Sequence, residues 1–195
     1  MRMRFLLIAV LILLPEMSFS QELSSAEKFR TTKEFLSVLS VFKESPIIAT
    51  PNQNVEIYRI FIAPTFYHPL FIRVEKNGND YFLIAKRLSG QGGYSWGTLK
   101  KEKKRRLSES EWKTLLNLIN EASFWVLPIE EKESGPNEKG EETICLDSTS
   151  WTLEGMNAGK YHVVYRYCPE LKGVKTVGLY MVKLTKWGIK ESDLR

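Results

Sequence analysis

The sequence of 195 residues has few of the side chains from which metal and redox centres are built. It contains two histidines and two cysteines, and the cysteines do not form a CxxC motif. A tetrahedral zinc site needs several such ligands together, and a redox-active dithiol usually has the CxxC spacing. No serine or cysteine stands beside a histidine in a nucleophile elbow. The sequence therefore predicts no metal site and no cofactor.

Long apolar runs are absent except at the amino terminus. Two arginines precede an apolar run over residues 5–14, and Ser18 and Ser20 are the small residues of a cleavage site. Ten apolar residues are too few for the alternative, a membrane anchor, which needs about twenty. We therefore predict that residues 1–20 are a signal peptide. The mature chain is expected to be periplasmic or secreted after cleavage near Ser20, without a transmembrane segment.

The densest group of reactive side chains follows Asp147, in two alternating segments that are typical of one β-hairpin. Its candidate catalytic residues are Asp147, His162 and Arg166, and its candidate binding residues are Trp151, Glu154, Tyr161, His162 and Arg166. Carboxylates and imidazoles serve as general acids and bases, and an indole can stack on a ring. Strand alternation sends Glu154 to the face opposite Asp147, which weakens a glycosidase-like interpretation. The alternative is structural: a cross-strand ion pair, ring packing and a braced turn.

A two-residue turn at Met156 and Asn157 predicts the register of this hairpin. The pairs that it predicts are Trp151 with His162, Asp147 with Arg166, and Cys145 with Cys168. Any even-numbered turn places these side chains on one face, whereas a three-residue or five-residue turn does not. Because an exported chain meets an oxidising environment, we predict a structural disulfide between the two cysteines. It would close a loop of about two dozen residues and stabilise the fold by about 3 kcal/mol.

The remaining segments predict the fold class. Apolar residues at helical spacing indicate a helix after Thr32, a second helix with a capping box at Ser108 and Glu111, and a third near residues 174–184. The strand signals lie in blocks, with an Asn77–Gly78 turn between two of them. Strands in blocks favour an α+β class, namely a single domain with a mainly antiparallel sheet and two or three helices packed on one face.

The predicted organisation has three parts. They are a signal peptide at residues 1–20, an amino-terminal helix and linker at 21–54, and an α+β domain at 55–190. The charged segment from Glu130 to Glu142 lacks the ligand spacing of a calcium loop, so it indicates a surface loop.

Two neighbouring segments are candidates for contacts with partners. A glycine-rich loop carries Tyr94 and Trp96, and no helix follows it that could complete a phosphate cradle, so we predict an exposed hairpin tip. The basic residues that follow are Lys100, Lys101, Lys103, Lys104, Arg105 and Arg106. They could contact an anionic surface, although a solvated edge strand is the preferred interpretation. Because no aromatic residues alternate with these charges, we predict no nucleic-acid partner.

One motif carries a resemblance to a known family. The pattern DxxxWxxEGxxxGxYHxxxRxxP runs from Asp147 to Pro169, and GGY at residues 92–94 and FWxLP at residues 124–128 accompany it. In these motifs the chain resembles a family of small uncharacterised exported bacterial proteins, over roughly residues 60–185. The resemblance implies a bacterial origin. The family has no established activity and no catalytic residues to carry over.

These observations predict an exported periplasmic protein that works as a non-enzymatic binding module, of inhibitor, immunity or envelope-associated type. Its partner would be a protein of the cell envelope, contacted through the Tyr94 and Trp96 loop, the basic run and the hairpin. The alternative is a small hydrolase or ligand-binding enzyme centred on the hairpin from Asp147 to Arg166. That alternative predicts a pocket at His162.

Overall fold

Six antiparallel strands form one sheet in the computed structural model, which describes residues 28, 32–47, 55–130, 147–169 and 172–194. The strands are β1 (Val55–Pro64), β2 (Leu70–Asn77), β3 (Asp80–Leu88), β4 (Leu99–Arg106), β5 (Thr149–Asn157) and β6 (Lys160–Tyr167). The helices are α1 (Lys33–Val41), α2 (Glu109–Glu121) and α3 (Val174–Thr185), and 3-10 helices lie at Phe124–Val126 and Glu191–Leu194. The strand order is β4-β3-β2-β1-β5-β6. This arrangement confirms the predicted single α+β domain with an antiparallel sheet.

Helices cover both faces of the sheet. On one face α2 and α3 pack over the larger core cluster, which includes Trp112, Met181 and the strand residue Ile60. On the other face α1 buries Phe35 and other apolar residues against the same strands. The alternation of apolar side chains along each strand produces these two cores. Two helices therefore share one face, as predicted, while the amino-terminal helix lies on the opposite face.

The helix starts follow the predicted capping residues. The Thr32 hydroxyl accepts a hydrogen bond from the backbone N–H of Phe35 at the start of α1. Ser108 and Glu111 form a reciprocal capping box at the start of α2. Each cap satisfies backbone N–H groups that have no partner within the helix.

The predicted turn between β2 and β3 is wrong by one residue. Its two central residues are Gly78 and Asn79, so Val74 pairs with Leu83. A turn at Asn77 and Gly78 would have paired Val74 with Tyr81. Gly78 takes the first central position with φ of +60°. A type II′ turn places glycine there, because that position needs a positive φ. The apolar face of the hairpin is unchanged.

The basic run forms β4, which lies at one edge of the sheet, as the preferred interpretation predicts. Within the described ranges, none of the helices combines the length and the apolar character that a membrane span requires.

Candidate functional site

The register of the β5–β6 hairpin differs from the predicted one. Trp151 pairs with Arg166 and Gly155 pairs with His162, so the predicted pairs of Trp151 with His162 and of Asp147 with Arg166 are wrong. The turn is two residues later, where Ala158 and Gly159 both have positive φ, as a type I′ turn requires.

The turn still has two residues, so Trp151, His162 and Arg166 share one face as predicted. Asp147 precedes β5 and is exposed, with φ of 53°. Cys145 lies outside the described residues, so its disulfide with Cys168 stays a prediction.

Trp151 and Arg166 lie on the face of the sheet that α2 and α3 cover. Trp151 is 1 % exposed and belongs to the larger core cluster. Arg166 is 5 % exposed, and its Nη1 group donates to the carbonyl oxygens of Pro128, Ile129 and Tyr165 at 3.1, 3.1 and 2.6 Å. The guanidinium therefore holds the chain segment that follows the 3-10 helix.

His162 is half-buried on the same face. Its Nε2–H donates to the carbonyl oxygen of Leu127 at 3.0 Å, because a carbonyl can only accept. The imidazole also packs against the ring of Phe124 in a T-shaped arrangement, with 5.1 Å between the ring centroids. Burial lowers the pKa of His162, which favours the neutral imidazole. One ring nitrogen is thus already occupied by a structural hydrogen bond.

Glu154 lies on the opposite face, where it pairs with Arg59 of β1. The guanidinium contacts both carboxylate oxygens through Nε and Nη2, and both side chains are almost completely buried. The Tyr161 hydroxyl donates to Oε1 of the same carboxylate at 2.5 Å. Buried charges are tolerated when they are paired and hydrogen-bonded in this way. These contacts engage both oxygens of Glu154 in holding β1, β5 and β6 together.

Tyr94 and Trp96 of the glycine-rich loop have different environments. Tyr94 is 71 % exposed and contacts Phe66, which is 54 % exposed, with 6.0 Å between the ring centroids. Trp96 is half-buried and packs on Phe61 at 5.3 Å in the smaller core cluster. The exposed aromatic surface is therefore formed by Tyr94 of this loop and Phe66 of the β1–β2 loop, which we call the aromatic pair.

The loop that carries Tyr94 is fixed to the β1–β2 loop through its backbone. The Gly92 N–H donates to the carbonyl oxygen of Pro64 at 2.9 Å, and the Gly93 N–H donates to that of Thr65 at 3.2 Å. A Cβ on Gly92 would lie 2.5 Å from the Pro64 oxygen, so glycine is required for this approach. Because these amides bond to the protein itself, the loop does not offer them to a phosphate.

Several cations of β4 are used within the fold. Lys103 Nζ donates to the carbonyl oxygen of Thr185, and Arg105 Nε donates to that of Leu184, both at 2.9 Å. These bonds satisfy the carboxyl-terminal end of α3, where helix carbonyls have no intrahelical partner. The exposed cations of this strand, Lys100 and Lys104 among them, remain candidates for an anionic surface.

Two residues that matter for these contacts, Phe66 and Arg59, were not identified from the sequence. Phe66 stands in a loop without any periodic pattern, so no sequence signal indicates its exposure. Arg59 did carry a signal, because a single arginine within the otherwise uncharged stretch of residues 57–64 indicates a buried charge that needs a partner. The carboxylate of that pair could not be named without knowing that β1 and β5 are neighbours.

Comparison of the chain with known protein families and with curated proteins found no match in either case. In the part of the chain that the structure describes, no three His, Cys, Asp or Glu residues come together as a set that could hold a metal ion. The function must therefore be argued from the geometry of the chain itself.

Proposed function

We propose that this protein is an exported, non-enzymatic binding module that docks on a protein of the cell envelope through the aromatic pair. The observation that carries the proposal is the exposure of Phe66 and Tyr94, side by side on two loops at one end of the sheet. Large aromatic side chains at a protein surface are the residues that most often contribute strongly to binding. The proposal includes export after cleavage near Ser20, the Cys145–Cys168 disulfide and membership of the family that the motifs resemble.

The rigidity of the two loops supports this role. The backbone hydrogen bonds from Gly92 and Gly93 hold the β3–β4 loop on the β1–β2 loop. A further hydrogen bond from the Gln91 side chain to the Phe66 carbonyl oxygen, at 3.3 Å, ties the loops together beside the rings. A preorganised surface loses little conformational entropy when it binds, so more of the contact energy appears as affinity.

The surroundings of the aromatic pair indicate the chemistry of the partner. The residues adjacent in sequence to Phe66 and Tyr94, namely Thr65, Tyr67, Gly93 and Ser95, carry no charge. We therefore expect the partner to pack an apolar or aromatic side chain against the exposed faces of the rings, with the Tyr94 hydroxyl as a polar contact at the rim.

The alternative of a small hydrolase or ligand-binding enzyme has less support. Its candidate groups are engaged in contacts that hold the fold, namely Glu154 with Arg59, and His162 with the Leu127 carbonyl. Of the candidate catalytic residues, Asp147 is exposed and precedes β5, so the strand does not fix its position.

Site-specific photo-crosslinking in the native periplasm tests the proposal. A photoreactive residue at position 94 is expected to capture one discrete protein, which is then purified for direct binding measurements. Replacing Phe66 with Ser should weaken that binding by at least about tenfold, because a buried aromatic contact is lost. Val126 is the matched control, since it is 80 % exposed but lies on the 3-10 helix.

Three outcomes distinguish the hypotheses. Crosslinking at position 94 that is lost on Phe66→Ser and unchanged on Val126→Ser supports the proposal. Equal capture from positions 94 and 126 would overturn it, because it would show nonspecific contact. A small molecule that co-purifies with the wild type and is lost from a folded His162→Gln variant would instead favour the enzyme alternative.

A further inference from the structure

A small cavity lies between the sheet and the segment that follows α1, on the face opposite α2 and α3. Its volume is about 230 Å³, and its lining residues are Lys43, Glu44, Ser45, Ile47, Ile57, Arg59, Arg73 and Lys86. Four of these side chains are basic and one is acidic. Pockets for drug-sized ligands span about 300–1,000 Å³, so this cavity has room only for a small ion or molecule.

The cations Arg59, Arg73 and Lys86 at the cavity are all paired with carboxylates, but Arg73 is paired less closely than the other two. Glu154 balances Arg59, and Glu44 receives a hydrogen bond of 2.5 Å from Lys86 Nζ. Arg73 contacts Glu44 and Glu75 only loosely, at 3.7 and 3.4 Å. Since Arg59 and Lys86 are 2 % and 5 % exposed, solvent screens the cationic side of the cavity poorly.

The two arginines also retain hydrogen-bond donors. The Nε–H of Arg73 is buried and has no hydrogen-bond partner. Arg59 uses three of its five N–H groups, two on Glu154 and one on the carbonyl oxygen of Ser45 at 2.7 Å. Lys86 differs, because its three N–H groups already donate to Phe42, Lys43 and Glu44. Buried donors without a partner cost free energy, so an acceptor in the cavity would be favourable.

We propose that this cavity binds a small oxyanion, such as inorganic phosphate or sulfate, through the guanidinium groups of Arg59 and Arg73. Guanidinium groups match the geometry of phosphate and carboxylate oxygens better than an ammonium group does. The site is independent of the aromatic pair, which lies on the loops at one end of the sheet. A free ion is favoured over a phosphate group of a larger molecule because of the small volume.

The anion would also connect α1 to the sheet. The segment after α1 contributes Ser45 and Glu44 to the cavity, whereas Arg59 and Arg73 belong to β1 and β2. Binding at this junction is therefore expected to increase the protection of α1 amides against hydrogen exchange, in proportion to the occupancy of the site.

Titration calorimetry with inorganic phosphate, sulfate and acetate, at matched ionic strength in chloride, measures the binding directly. Saturable phosphate or sulfate binding to one site per chain is expected, and Arg73→Met should weaken it by at least about tenfold, because hydrogen bonds to a charged group are lost. Arg73→Lys should retain the charge and bind with intermediate affinity. Arg106→Met is the matched control, since Arg106 is an exposed cation on β4, outside the cavity.

Hydrogen exchange of α1 in the same salts gives a second readout that does not depend on heats of binding. Phosphate-dependent protection of α1 in the wild type and the Arg106→Met variant, and its loss in Arg73→Met, supports the site. Absence of saturable binding, or equal binding by the Arg73→Met and wild-type proteins, would overturn it. Binding that is lost only in Arg106→Met would also overturn it, because it would place the anion on β4.

Discussion

The indole ring of Trp151 lies directly against the backbone of Gly178 in α3. A Cβ on Gly178 would come within 2.4 Å of Trp151 Cζ3 and 2.6 Å of Ile60 Cδ1. The absence of a side chain at this one helical position lets the helix approach the sheet closely over one of the two buried tryptophans of this core cluster. Helix α3 therefore packs directly on Trp151. Because Trp151 is buried, a binding partner cannot contact it.

Replacement of Gly178 with Ala should destabilise the protein by about 1–3 kcal/mol, even though alanine favours helices, because the added methyl group overpacks the core. Urea denaturation measures the free energy of unfolding. Lys183→Ala, on an exposed position of the same helix, should change it by no more than about 0.5 kcal/mol. Equal effects of the two substitutions would contradict the close packing of Trp151 and Gly178.

Replacement of Arg59 with Met should cost about 3–5 kcal/mol, because it leaves the Glu154 carboxylate buried without its partner. Adding Glu154→Gln should recover part of this loss, since the uncompensated charge is removed. A double-mutant cycle in chemical denaturation measures the coupling between the two residues. Strictly additive costs would show that the pair does not act as a unit.

His162 should make stability depend on pH in the mildly acidic range. Burial lowers its pKa in the folded state, so the unfolded chain takes up a proton first as the pH falls below about 6.5. The free energy of unfolding should therefore decrease on acidification through this range. His162→Gln should show a flatter pH profile than the wild type between pH 8 and 5. His68 is present in both proteins, so the difference between the profiles reports His162.

Glu111 should make the free energy of unfolding depend on pH in a more acidic range than His162 does. Its hydrogen bonds with Arg105 lower the pKa of Glu111 to about 2, and the Ser108 N–H adds to this effect. The stability that this carboxylate adds is present above about pH 4.5 and is lost as the pH falls toward 2. Glu111→Gln should cost about 1 kcal/mol at pH 7, as expected for a capping residue, and much less near pH 2. Glu121→Gln, exposed at the end of the same helix, is the control for charge removal alone.

Local sequence patterns predicted the helices and strands well, but they predicted the register between paired strands less well. The capping box of α2 and the cap of α1 could be predicted because they depend on residues within one turn of helix. The β2–β3 turn was misplaced by one residue because a glycine can occupy either central position of a two-residue turn. The β5–β6 turn was placed two residues too early, at Met156 and Asn157, neither of which is a glycine. Gly78 takes the first position and Gly159 the second, and the neighbouring residues do not distinguish these choices.

For the candidate site, the sequence indicated the residues but not their environment in the fold. Residue type indicated that Trp151, Glu154 and Arg166 were important, but it could not show which faces of the sheet would be covered by helices. Trp151 and Arg166 meet buried groups on one face, and Glu154 meets Arg59 on the other. Both outcomes depend on contacts between residues that are far apart in the chain, which no periodicity within a strand reveals.

The pairing of β1 with β5 joins two parts of the sheet, each built from strands that are successive along the chain. Strands β1 to β4 are successive neighbours, as are β5 and β6, so each part can assemble through local connections. The junction between them joins residues such as Arg59 and Glu154, which are 95 positions apart. Closing so long a loop has an entropic cost before any contact compensates for it, and non-local pairing slows folding. We therefore expect the pairing of β1 with β5 to be the slow step in the formation of the whole sheet.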